Sequence, residues 1–76
     1  MAREQRIEIL AEMVANVLVV EVAMGDVVDI GDTVVLLESM KMEIPVMAEV
    51  AGTVTGVKIA VGDVVQEGDP LVEILG

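Results

Sequence analysis

Gly25-Asp26-Val27-Val28, closed by Gly31-Asp32, returns as Gly62-Asp63-Val64-Val65, closed by Gly68-Asp69. The offset between the copies is 37 residues. The same offset aligns Ala11-Glu12-Met13-Val14-Ala15-Asn16-Val17 with Ala48-Glu49-Val50-Ala51-Gly52-Thr53-Val54. One offset serving three separated blocks points to an internal duplication. Two copies are too few for a solenoid, which needs at least about three. The chain therefore reads as two similar halves of one domain, packed face to face about a pseudo-twofold axis.

Each half carries the same local signals. Glycine takes positive φ without steric cost, and aspartate bonds nearby backbone, so the Gly-Asp pairs mark turns. Between them lie short β-branched runs, Val17-Leu18-Val19-Val20 and Thr33-Val34-Val35-Leu36-Leu37. Short Val-rich runs at close spacing between turn signals predict an all-β sandwich or barrel. Leu10-Ala11-Glu12-Met13 has some helical character. Its copy is Val50-rich, so the stretch is read as strand. Pro45 and Pro70 suit strand starts or sheet edges, where no ladder donor is needed.

The composition closes off several functions. Seventy-six residues make one small domain with a thin core. There is no cysteine and no histidine, so thiol chemistry, zinc sites and His-based acid–base catalysis are out of reach. Net charge is −10, and Arg3, Arg6, Lys41 and Lys58 cannot build a basic patch. Binding to nucleic acid or anionic membrane is not expected. Acidic residues or glycine break each apolar run too early for a membrane helix. The acidic residues are dispersed, with no calcium-loop pattern.

Lys41 is the residue that the repeat leaves over. Adding 37 passes the end of the chain, and subtracting 37 lands on Glu4 in the polar start. The turn carrying Lys41 thus has no copy, and the chain termini fill its symmetry-equivalent place. Strand signals enter from Val34-Val35-Leu36-Leu37 and leave through Ile44-Pro45-Val46, which puts Lys41 at the tip of a β-hairpin. Its surroundings are Glu38-Ser39-Met40-Lys41-Met42-Glu43.

A lysine that does chemistry unaided is deprotonated by burial or a neighbouring cation. Here the near charges are Glu38 and Glu43, which favour the ammonium form. Lys41 is thus better suited to be modified by an enzyme that supplies the base. Met40 and Met42 offer flexible, polarizable contact to more than one partner. The competing reading makes both methionines core residues and Lys41 a solvated hairpin charge. Lys58 follows Thr55-Gly56-Val57 without a neighbouring methionine and reads as a solvated strand charge.

The stretch Glu38 to Glu43, with Pro45-Val46 and Ala48 after it, resembles the attachment motif of biotin carboxyl carrier domains, which commonly reads Glu-Ala-Met-Lys-Met. The likeness runs from about Ile7 to Leu75. It includes Ala11 to Val17, the Gly-Asp turns and Ala51-Gly52-Thr53-Val54. This resemblance to the biotinyl/lipoyl attachment family implies a flattened β-barrel of two four-stranded sheets, a barrel-sandwich hybrid. It implies biotin amide-linked to Lys41 by biotin protein ligase, with Glu38, Ser39, Met40, Met42 and Glu43 as motif and recognition residues. The tethered biotin would carry CO2 between a biotin carboxylase and a carboxyltransferase. The protein would be a cytoplasmic carrier and not an enzyme.

Some positions depart from the family pattern. Ser39 replaces the commoner Ala. Glu12, Val14 and Ala15 stand where many relatives have Pro, Pro and Gly, and Ala15 implies a different local turn if that glycine needs positive φ. Gly25 to Lys41 is too short to hold the protruding "thumb" loop of some carriers. The expected organisation is a flexible polar N-terminus at 1–6 and a carrier domain at 7–76, with the start and stop favouring a small stand-alone protein. Two rivals stand beside it. One is a lipoyl carrier, whose motif usually reads Asp-Lys-Ala, against which Met40 and Met42 argue. The other is an unmodified adaptor domain, in which Lys41 is only a surface charge.

Overall fold

The computed structural model describes residues 5–76 and contains eight strands. They are β1 (Arg6–Leu10), β2 (Ala15–Val20), β3 (Val27–Val28), β4 (Thr33–Ser39), β5 (Met42–Met47), β6 (Gly52–Val57), β7 (Val64–Val65) and β8 (Pro70–Leu75). Two four-stranded antiparallel sheets face each other, one ordered β1-β8-β6-β3 and the other β5-β4-β2-β7. The expected all-β architecture of paired four-stranded sheets is therefore observed.

Shifting by 37 residues carries one sheet order onto the other: β1 onto β5, β8 onto β4, β6 onto β2, β3 onto β7. The core obeys the same shift. Buried Ala11, Val17, Val28, Val34, Val35 and Leu37 correspond to buried Ala48, Val54, Val65, Leu71, Val72 and Ile74. Small β-branched and aliphatic side chains fill the space between the sheets without any aromatic residue. Ladder irregularities recur too, between Val17 and Val19 and between Val54 and Gly56.

The Gly-Asp turns lock the halves together. In Ala23–Asp26, the Asp26 N–H donates to Ala23 O at 3.1 Å, while Asp26 Oδ2 accepts from the Ala23 N–H at 2.9 Å. Gly25 has φ 93° and its copy Gly62 has φ 94°, as the third position of a type II turn requires. Each turn then bonds to the opposite half. Gly25 N–H donates to Val54 O at 2.8 Å, and Gly62 N–H donates to Val17 O at 2.9 Å. Val54 N–H returns a bond to Asp26 O, and Val17 N–H to Asp63 O, both at 2.8 Å. Neither half completes its backbone bonding alone, so the duplication is an interlock as well as a symmetry.

Three sequence expectations need adjustment. Ala11–Met13 is not strand: β1 ends at Leu10, and the chain bends through Glu12 and Met13 before β2. Buried Ala11 spends its backbone groups on the turn of the other half, donating to Asp69 O and accepting from Gly68 N–H, both at 2.8 Å. Lys58 lies just past β6, although its N–H still donates to Leu71 O at 2.9 Å. Residues 1–4 of the polar start lie outside the described residues. Gln5 exchanges two backbone bonds with Gly76, at 2.9 and 3.0 Å, and Arg6 begins β1. Strand pairing thus starts ahead of Ile7, because β8 still presents partners there.

Ala15 shows no positive φ, so no special turn forms at that departure. It is the first residue of β2 and is buried. Its copy Gly52 is the more constrained site. A Cβ there would collide with Leu75 O and approach Ile74 Cγ2 to 2.8 Å.

Candidate functional site: the β4–β5 hairpin tip

The hairpin is built outward from the core. Leu37 pairs with Ile44, Glu38 with Glu43, and Ser39 with Met42. Leu37 is buried and Ile44 packs against the core cluster, which anchors both strands. The alternation of a strand then turns Glu38 and Glu43 to the outer face. Ser39 and Met42 form the last pair. Met40 and Lys41 alone make the connection.

A two-residue hairpin loop needs a turn whose twist matches the strands, and the type I′ form requires positive φ at both central residues. Met40 has φ 54° and Lys41 has φ 66°. Among the described residues, these are the non-glycine positions with positive φ. The left-handed region costs an L-residue roughly 1–2 kcal/mol. Asn-Gly would relieve that strain, yet the chain places Met-Lys there. Such strain persists where the surrounding structure over-determines it, and it clusters at functional positions.

The strain has a geometric consequence. The tight turn holds Lys41 exposed at the tip, with Met40 92% and Met42 64% exposed beside it. The methionines are therefore surface residues, and the reading that placed them in the core fails. All the predicted motif residues, Glu38, Ser39, Met40, Lys41, Met42 and Glu43, come together in this one hairpin. Sequence reasoning foresaw the tip but not its positive-φ backbone. The two-residue spacing between paired strands was the available signal.

The pseudo-twofold relates the tip to the termini. Subtracting 37 carries Met42 onto Gln5, and adding 37 carries Ser39 onto Gly76. The Ser39–Met42 pair thus corresponds to the Gln5–Gly76 pair. Where one half has a continuous turn, the other has the two ends of the described chain.

Away from the tip, a small cleft of about 130 Å³ lies between β1 and β5, lined by Ile9, Leu10, Pro45, Val46 and Met47 among others. It reaches Leu37 and Ile44, the cross-strand pair below Glu38 and Glu43, and the carboxylates that line it, Glu12 and Glu49, make no cluster of three or more that could hold a metal ion. Among the described residues, no group of three or more acidic side chains converges to hold a metal ion, and no helix is long and apolar enough to cross a membrane.

Comparison with known proteins supplies the context. A family model described as "Biotin-requiring enzyme" (Biotin_lipoyl) matches residues 7–74. Biotinylated protein TB7.3 of Mycobacterium tuberculosis is 66% identical over 38 residues, which is 50% of this chain and 54% of that protein. Its homolog in Mycobacterium leprae is 60% identical over a stretch of the same length. The matches thus span about half the length of these curated relatives. Among solved structures, a single-chain, multi-domain long-chain acyl-CoA carboxylase superposes with TM-score 0.87 at 30% identity, covering 92% of this chain and 7% of that one. Kluyveromyces lactis urea carboxylase superposes with TM-score 0.87 at 30% identity, covering 97% of this chain and 6% of that one.

Proposed function

Because the chain belongs to the biotinyl/lipoyl family, we propose that it is a biotin carrier whose Lys41 is biotinylated by biotin protein ligase. The observation that carries this reading is the tight hairpin tip: an exposed lysine held between exposed Met40 and Met42 on a turn with positive φ. The biotinylated relative and the two carboxylases support biotin over lipoate.

The residues suit the group they would hold. A primary amine that nothing covers can reach an activated carboxyl group bound to another enzyme. Lys41 Nζ, deprotonated by the ligase, would attack that carboxyl. The new C–N amide bond forms as the C–O bond to the nucleotide leaving group breaks. The two-residue turn restricts where Nζ can sit, which matters because near-attack geometry governs such steps. Glu38, Ser39 and Glu43 are placed for recognition, and Met40 and Met42 for apolar contact.

When bound, biotin supplies a ring nitrogen that accepts and releases a carboxyl group. The domain itself contributes tethering. A tethered group reaches an effective concentration of roughly the mM range if its arm spans both sites. We assign the donor and acceptor sites to a biotin carboxylase and a carboxyltransferase, with this chain as a non-catalytic component. The same reading places the protein in the cytoplasm, where ATP-dependent ligation has its nucleotide.

The test is a streptavidin blot with intact-mass measurement of protein from its native source. One biotinyl addition is expected. A lipoyl addition would replace biotin with its sister cofactor, and unmodified protein would favour the adaptor reading.

A further inference from the structure

The five described methionines are all at the surface: Met40 is 92% exposed, Met24 70%, Met42 64%, Met47 50% and Met13 37%. The chain has no cysteine, histidine, tryptophan or tyrosine. Methionine sulfur is therefore the only readily oxidised side-chain group it offers. The most exposed of these methionines sits beside Lys41, and another flanks the lysine on its other side.

We propose that Met40 and Met42 form a peroxide-sensitive modification site that gates access to Lys41; this rests on the carrier reading above. The thioether sulfur attacks hydrogen peroxide and loses two electrons. The O–O bond breaks, an S–O bond forms, and water leaves. The product is a sulfoxide, polar where the thioether was apolar. A ligase that grips the tip through apolar contact must then desolvate that polar group, which is unfavourable. Neither methionine belongs to the core cluster, so the fold is untouched and the change is confined to recognition. Methionine sulfoxide reductases, drawing two electrons from thiols, reverse the step.

The experiment treats the unbiotinylated protein with dilute hydrogen peroxide, removes the peroxide, and maps the added oxygen by peptide mass. Initial biotinylation rates are then measured with biotin ligase, ATP and biotin, and circular dichroism monitors the fold. Met40 should oxidise first, and the rate should fall at least about fivefold with an unchanged spectrum. A Met40→Leu, Met42→Leu variant should keep its rate through the same treatment. A Met13→Leu, Met24→Leu, Met47→Leu variant should still lose it, and sulfoxide reductase with a thiol should restore it. Undiminished labelling of protein with confirmed sulfoxide at both positions overturns the gate alone, and so does oxidation that spares Met40. No biotin on the untreated protein overturns the carrier reading and the gate with it.

Discussion

Glu38 and Glu43 stand directly opposite each other on β4 and β5, one residue pair below the turn that carries Lys41. Like charges in direct cross-strand register are destabilising. Glu43→Gln should therefore stabilise the protein by about 0.2–1 kcal/mol, read as a higher urea midpoint. The same substitution should slow biotinylation if the ligase reads the carboxylate. A variant that loses stability would show that the pair is favourable in place.

The turn itself predicts a second trade between stability and function. Lys41→Gly removes a Cβ from the left-handed region and should stabilise the domain by roughly 1 kcal/mol while abolishing modification. Lys41→Arg should leave the melting temperature close to wild type and also abolish modification. If Lys41→Gly melts at a lower temperature than Lys41→Arg, the positive φ at this position is not a source of strain.

The duplication predicts matched costs. Val17 and Val54 occupy equivalent core positions and are 2% and 1% exposed. Each should cost about 1–3 kcal/mol when cut to alanine, with similar urea midpoints for the two variants. A large difference between them would break the energetic equivalence of the halves.

One pair of equivalent positions should behave asymmetrically. Gly52→Ala drives a Cβ into Leu75 O and Ile74 Cγ2, so β6 or β8 must shift. Its copy already carries the methyl group of buried Ala15. Gly52→Ala should cost about 1–3 kcal/mol, the range for overpacking, measured by thermal denaturation. An unchanged melting temperature would mean that the β6–β8 ladder relaxes freely there.

Much of this was legible in the sequence because the duplication repeats the physics. A Gly-Asp pair specifies a turn locally, and its copy at a fixed offset confirms the reading. The pairing of two similar halves follows from that, and the strand signals on either side of Lys41 mark the hairpin tip. What escaped was set by contacts between residues far apart along the chain. Ala11 leaves the strand because Gly68 and Asp69, far along the chain, take its backbone bonds. Gly52 is constrained by Leu75 and Ile74, which no local pattern announces. At the site, the strand signals marked a hairpin tip at Lys41 but not the backbone of its turn. The closure of two paired strands in two residues replaces alternation with a turn of positive φ.

The most direct test moves the lysine by one residue. Met40→Lys combined with Lys41→Met keeps the composition, the charge and both flanking carboxylates, and the turn now presents the amine from its first central position. Initial biotinylation rates of this variant and the wild type are compared with ligase, ATP and biotin, followed by peptide mapping of the adduct. Biotin is expected on Lys41 of the wild type and not on Lys58, with a severe loss of rate in the folded shifted variant. A shifted lysine labelled as fast as wild type would mean that the ligase reads a flexible peptide, and the hairpin-tip account would be wrong.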